Sequence, residues 1–198
     1  GGRRALRALL AASGGTLRGR LVRALRGGGR RLARRGVSRA AVRTTGVVVA
    51  AILAVDQASK AAVLAAYSPL SWPVEVTPFF NLVLVWNRGV SFGLFGGNDG
   101  ELQRWLLVGL ALAVAAVLLV WLARGVADAW QRWSFRLIAA GAIGNAADRV
   151  VHGAVVDFLD FHYAGWHWPA FNVADSAVVV GALLLVADGL RPKRAAPT

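Results

Sequence analysis

The chain has 198 residues, 57% of them hydrophobic, and carries 23 basic against 10 acidic side chains for a net charge of +13. It contains no cysteine, which excludes a disulfide framework, a thiolate metal centre and a cysteine nucleophile, and its three histidines (His152, His162, His167) do not suffice for a zinc finger or an HExxH helix. Thirteen arginines precede residue 44 with no acid among them, so the rest is neutral, and richer in Ala, Val and Leu than an ordinary soluble domain.

Residues 1–43 repeat Arg, Gly, Ala and Leu, with glycine pairs at 1–2 and 14–15 and a triplet at 27–29. Glycine at that density disfavours a continuous helix, and a flexible arm is expected. A nucleic-acid tail would want aromatic residues for base stacking, and a targeting presequence would want more serine. The arm therefore reads as a cytoplasmic segment lying against anionic lipid, with no nucleic-acid partner.

Four apolar segments follow. Gly46–Tyr67 is long enough to span a bilayer, though interrupted by Asp56, Gln57, Ser59 and Lys60. Trp105–Leu122 has no charge or amide and is the cleanest membrane signal. Phe135–Val151 is weaker, carrying Arg136, Asn145, Asp148 and Arg149, and Phe171–Ala187 opens with Asn172, Asp175 and Ser176 before turning apolar. Basic residues flank the first segment on its N-terminal side, the second-to-third connection (Arg124, Arg132, Arg136) and the C-terminal tail (Arg191, Lys193, Arg194), whereas residues 68–104 and 152–170 are basic-poor. The positive-inside rule then predicts both termini in the cytoplasm and those two loops outside.

The first outer loop is structured in its own right. Val74–Val76, Phe79–Trp86 and Ser91–Phe95 are rich in Val, Phe and Trp and broken by Thr77-Pro78 and Arg88-Gly89, which predicts short strands joined by turns. Trp72, Trp86, Trp166 and Trp168 in or beside the outer loops suit an interfacial aromatic belt. The expected architecture is an all-α membrane protein: a four-transmembrane-helix bundle over residues 44–190 with a small extracytoplasmic β-cradle, an arm over 1–43 and a tail over 191–198.

Ionisable groups in spanning segments are costly and need a partner or a purpose. Asp56 and Lys60 lie four apart on one helical face and are spaced for an ion pair. Asp148 and Arg149 are adjacent and must find partners elsewhere. These four residues suit either pairing that fixes the bundle or a polar wall around a site. Asp157 falls just beyond the third segment and Asp175 about one turn inside the fourth, so both reach the outer boundary of the membrane. The intervening 158–170 stretch (Phe158, Phe161, Tyr163, Trp166, Trp168, Pro169) reads as aromatic and turn-like, able to fold the two acids together. Two close carboxylates share one proton, which suits water activation, but spacing alone equally allows solvated loop acids or a cation site.

Five blocks in order, Asp56-Gln-Ala-Ser-Lys60, Trp86-Asn-Arg-Gly-Val-Ser-Phe92-Gly, Gly141-Ala-Ile-Gly-Asn145-Ala-Ala-Asp148-Arg149, Val155-Val-Asp157-Phe and Phe171-Asn-Val-Ala-Asp175-Ser, resemble the signature blocks of lipoprotein signal peptidase (signal peptidase II, aspartic peptidase family A8). The resemblance covers residues 56–176. It implies a multi-pass aspartic endopeptidase of the bacterial plasma membrane, with Asp157 and Asp175 as catalytic dyad, no metal and no cofactor. Asn145 and Arg149 would line the polar site, Asn172 would orient the dyad and substrate backbone, and Asn87 would help hold the substrate. Gly89 and Ala174 are carried over as site-supporting, Asp56 and Lys60 as a structural or substrate-facing pair, and Asp148 as structural. The implied substrate is a diacylglyceryl-modified prolipoprotein, cut before its lipidated cysteine at the extracytoplasmic face by a monomer in contact with membrane lipid.

Two other classes compete. A proton-coupled transporter using Asp148, Asp157 and Asp175 as a relay would need acids across the whole membrane, and the second segment has none in its interior. A non-enzymatic membrane scaffold would tolerate Asp→Asn at both outer acids.

Overall fold

A computed structural model describes residues 39–69, 71–89, 100–125 and 128–191. The expected arm up to residue 38, the expected strand at Ser91–Phe95 and the tail from residue 192 lie outside the described residues.

The described residues form four helices and four strands, in chain order α1 (Arg39–Ala66), β1 (Val74–Thr77), β2 (Phe80–Asn87), α2 (Gly100–Ala123), α3 (Ala129–His152), β3 (Val155–Tyr163), β4 (Trp166–His167) and α4 (Val173–Leu190). The helices correspond one to one with the four apolar segments. α1 begins seven residues before Gly46, because Arg39–Thr45 holds no glycine or proline to stop it, and Thr45 is engaged by the Arg136 side chain of α3 (Nε to Oγ1, 3.1 Å). α1, α2 and α4 are long and apolar enough to cross a membrane, while α3 falls short by composition.

The distribution of polarity is inverted relative to a water-soluble protein. Val47, Val55, Leu106, Leu110, Leu183 and Val186 are exposed, whereas Asp56, Lys60, Ser134, Asp148, Asp157 and Asn172 are buried. A bundle whose outer surface is solvated by lipid and whose polar groups pair internally accounts for both observations.

Small residues hold α3 and α4 close. A side chain on Gly181 would come within 2.7 Å of Ile138 Cγ1 and 2.9 Å of the Ser134 carbonyl oxygen, and one on Gly141 would collide with the Ala174 carbonyl. Across this seam the Ser134 hydroxyl donates to the Gly181 carbonyl at 2.6 Å. Without a hydrophobic drive between helices in lipid, such close backbone approach and internal hydrogen bonding carry the association. α3 starts at an Asp128 capping box with Gln131 and ends on Gly153, whose φ of 80° closes the helix in a left-handed turn and sends the chain into β3.

The strands form one antiparallel sheet in the order β1-β2-β3-β4. Val85 pairs with Asp157 and Asn87 with Val155, with a register shift between Leu82 and Val85. The expected strands at 74–76 and 79–86 are present. The 158–170 stretch is not a turn, however: β3 runs to Tyr163 and turns only at Ala164-Gly165, both at positive φ, before β4. Its β-branched and aromatic residues pair with β2, and that pairing overrides the turn signal of the residues that follow. After β4 the chain returns along β3: the Phe158 and Leu159 amides donate to the Phe171 carbonyl at 3.0 and 2.8 Å.

Candidate active site

The suture between Phe171 and Leu159 sets the site. It delivers Asn172, the N-cap of α4, beside Asp157 on the neighbouring strand. Asn172 accepts from the Asp175 amide (2.9 Å) through Oδ1, and the Asp175 carboxylate accepts from the Asn172 amide (3.2 Å). This reciprocal capping box orients Asp175 back toward the sheet. The Asn172 side-chain amide then donates to Asp157 Oδ1 at 2.7 Å. One asparagine thus touches both expected catalytic acids, and Asp157 and Asn172 are both buried.

Each carboxylate has a second amide partner. Asn87, at the end of β2, donates to Asp157 Oδ2 at 2.9 Å, and its own Oδ1 accepts from the Gly89 amide. Gly89 takes a φ of 94°, and a Cβ there would lie 2.7 Å from Leu107 Cδ1, so glycine meets both a backbone and a packing requirement. Asn145 on α3 donates to Asp175 Oδ1 at 2.7 Å and accepts from the Asn172 side chain at 3.2 Å. Three asparagines therefore supply hydrogen-bond donors to the two acids and fix their rotamers.

Burial pushes the Asp157 carboxyl up to about 6, against the hydrogen bonds from Asn87 and Asn172 and with the Asp175 charge adding to the rise. The charge of Arg149 acts on Asp175, Asp157 and Asp148, while its Nη1 donates to the Asn145 carbonyl at 3.3 Å and its Nε is buried without a hydrogen-bond partner. Arg149 therefore has donor capacity to spare beside the pair.

The expected Asp56–Lys60 pair forms, at 2.9 Å on one face of α1. Asp148 finds its partner there as well: Lys60 Nζ lies 2.8 Å from Asp148 Oδ2, and Gln57 Nε2 donates to Asp148 Oδ1 at 2.9 Å. Asp148 is thus engaged away from the dyad. Ala174 is fully buried, with its amide donating to Asp56 Oδ1 at 2.8 Å. Gly144 explains the spacing within its block, since a Cβ there would stand 2.7 Å from Asp56 Oδ2 and force the α1 carboxylate away.

Three features were not singled out in the sequence. Gln57 lay inside a recognised block, and only its bond to Asp148 reveals a part for it. Further along β3, Asp160 binds Asn81 Nδ2 (3.1 Å) and His167 Nδ1 (2.9 Å), partners 79 and 7 residues away. Burial alone would raise the Asp160 carboxyl, but the hydrogen bonds from His167 and Asn81 and the histidine charges outweigh it and hold it below the usual range. Beyond it an aromatic cavity of about 450 Å³ is lined by Phe79, Phe161, Tyr163, Trp166, Trp168 and others. Among the described residues, no group of three or more His, Cys, Asp or Glu is placed to hold a metal ion. Two carboxylates, one of them pushed up to about 6 by burial, with three amides and a guanidinium beside them, have the composition of a water-activating hydrolytic centre.

Residues 48–191 match the family model described as signal peptidase (SPase) II. The lipoprotein signal peptidase of Vibrio cholerae serotype O1 is 46% identical over 126 residues, covering 63% of this chain and 73% of that one. The lipoprotein signal peptidase of Aeromonas hydrophila is 48% identical over 141 residues (70% and 83%), and that of Burkholderia thailandensis 46% identical over 147 (73% and 86%). Two solved structures described as a bacterial membrane enzyme, obtained by the in meso method at 1.9 and 2.3 Å resolution, superpose with TM-scores of 0.65 and 0.62 at 26% identity. They cover 76% and 78% of this chain, and in each case 94% of the solved one.

Proposed function

The chain belongs to the signal peptidase II family and removes signal peptides from prolipoproteins, and on that premise we propose that Asp157 and Asp175 are the dyad that performs the hydrolysis. The observation that carries the assignment is Asn172, whose side chain and backbone engage both acids. Asp157, the more deeply buried acid, holds the shared proton and donates it toward the scissile carbonyl oxygen. Asp175, partly exposed and bonded to Asn145, acts as the base and takes a proton from the attacking water. The water oxygen adds to the carbonyl carbon. As the gem-diol intermediate collapses, one of its hydroxyls returns a proton to Asp157, the carbon–nitrogen bond breaks and the proton on Asp175 passes to the leaving nitrogen, so the dyad regains its starting state. Arg149 and Asn172 orient the substrate backbone, and Asn87 sets the Asp157 carboxylate.

The substrate is a prolipoprotein whose cysteine already bears diacylglycerol, cleaved before that cysteine. A lipid anchor there holds the scissile bond at the interface where the dyad sits, and the acyl chains remain in the bilayer. The site faces the extracytoplasmic side, with both termini in the cytoplasm. Arg124, Arg132 and Arg191 gather at the end of the bundle away from the sheet, in support of that orientation, and Trp86, Trp166 and Trp168 are exposed at the sheet end.

The test is precursor cleavage by purified protein carrying Asp157→Asn or Asp175→Asn separately. Loss of cleavage in both is expected, and cleavage at the parental rate by either well-folded variant refutes the dyad. Orientation is read independently, because a cysteine-free chain accepts a single reporter. Ala164→Cys should react with an impermeant maleimide in intact cells and Gly125→Cys should not; the reverse pattern overturns the topology.

A further inference from the structure

Two hydrogen bonds share a pattern. Asp56 Oδ1 accepts from the amide of Ala174, the residue immediately before Asp175 (2.8 Å). Asp148 Oδ2 accepts from the amide of Val156, the residue immediately before Asp157 (3.1 Å). Lys60 Nζ lies between these carboxylates, 2.9 Å from Asp56 Oδ2 and 2.8 Å from Asp148 Oδ2. It also donates to Asn145 Oδ1 at 3.3 Å, and so turns the Asn145 amino group toward Asp175. All three charged side chains are essentially buried.

We propose that Lys60 is a positioning residue that yokes the two halves of the dyad, fixing the backbone before Asp157 through Asp148 and the backbone before Asp175 through Asp56. This deepens the dyad assignment and rests on it. Asp157 is on a strand and Asp175 on a helix, and among the described residues the Phe171–Leu159 suture and Asn172 are the other hydrogen-bonded links between β3 and the start of α4. A buried cluster of two acids and one base is a costly way to hold a bundle together. Its cost has a reason if it sets the separation of two reacting groups. The charged groups gathered around the dyad are Asp56 and Lys60 on α1, Asp148 and Arg149 on α3, Asp157 on β3 and Asp175 on α4, whereas Arg136, Asp160 and Asp188 on the same elements bond elsewhere, to Thr45, to Asn81 and His167, and to Gln131.

The decisive variant is Lys60→Met combined with Asp148→Asn. It keeps the cluster's net charge, leaves an amide oxygen for the Val156 amide and breaks the link; Gln57 can turn its own amide to meet the new side chain. With prolipoprotein as substrate, kcat should fall about 100-fold, the order of loss produced by roughly an ångström of misplacement, while KM moves less than about threefold. The upper limb of the pH profile should also move to higher pH, since the ammonium that favours ionised Asp157 is gone. A merely structural role predicts parental kcat per folded molecule, and that result overturns the yoke. So does a raised KM at parental kcat. Should the double variant not fold, Asp56→Asn, which slackens the Asp175 side alone, decides by the same criteria with a loss of about 10-fold. Asp157→Asn and Asp175→Asn run alongside: if they remain active the dyad itself is wrong, whereas if they are dead and the yoke variants are normal, only the yoke fails.

Discussion

The hydrogen bond from Asn87 to Asp157 gives a sharp pH experiment. Asn87 donates to Asp157 Oδ2 at 2.9 Å, and this bond opposes the rise that burial imposes on the carboxyl. With the dyad active in its singly protonated form, kcat/KM falls as pH rises through the Asp157 value, about 6 in the free enzyme. In kcat the same limb lies higher, because bound substrate excludes water from both acids. Asn87→Ala removes a donor that favours the ionised form, so the limb must move up, not down. A hydrogen bond to a charged group contributes about 1.5–3 kcal/mol net, but Asn87 is exposed and water replaces part of it. A remaining loss of about 1 kcal/mol corresponds to an upward shift of roughly 0.7 pH unit. The assay is initial-rate cleavage of a fluorogenic lipopeptide in detergent between about pH 5 and 9, fitted for kcat and KM separately. An unmoved limb with raised KM would show that Asn87 contacts substrate rather than tuning Asp157. A limb moved to lower pH would refute the electrostatic argument outright.

Three other outcomes follow from the geometry. Gly181→Ala drives a methyl to 2.7 Å from Ile138 Cγ1 and 2.9 Å from the Ser134 carbonyl, so thermal unfolding in detergent should show a loss of about 1–3 kcal/mol with kcat per folded molecule unchanged. Ala164 has a φ of 49° in the two-residue β3–β4 turn, so Ala164→Gly should stabilise the hairpin by about 0.5–1 kcal/mol, read as slower amide exchange at Tyr163 and Trp166. The Asp160 carboxyl is held low in the fold, so its contribution to stability is complete above the unfolded value and is lost as pH falls through the folded one. Acidification below about pH 4 should therefore loosen the hairpin, seen in the emission of Trp166 and Trp168, and His167→Ala should move that transition to higher pH.

How much was legible in the sequence depended on the range of the interaction. Trp105–Leu122 announced α2 because nothing polar interrupts it. Counting along segments led to the expectation that Asp157 and Asp175 lie close together, and Asn172 bonds to both. The Asp56–Lys60 pair followed from helical spacing alone. β3 was missed for a physical reason: Val155, Val156, Asp157 and Phe158 are all buried, so the period-two alternation that marks a half-exposed strand is absent. The partner of Asp148 was beyond reach too, because Lys60 stands 88 positions away and only the packing of α1 on α3 joins them. The roles of Gly141 and Gly144 needed their neighbours, Ala174 and Asp56, to be in place first.

The weak hydropathy of α3 has the same origin as the site. Lipid demands apolar side chains only where it touches, and α3 buries nine residues against three each for α1, α2 and α4. Sheltered by its neighbours, it is free to carry Ser134, Arg136, Asn145, Asp148 and Arg149 together with the small residues that let α4 and Asp56 approach. A helix facing lipid on all sides could hold none of these without expelling them or neutralising them. The segment least able to cross a membrane by composition is therefore the one around which the bundle is organised. Its last turn and the glycine that ends it carry the chain from Asp148, which is paired to Lys60, to Asp157 in the sheet, which is poised to hold a proton. The polarity that weakens the span is the polarity that the proposed chemistry requires.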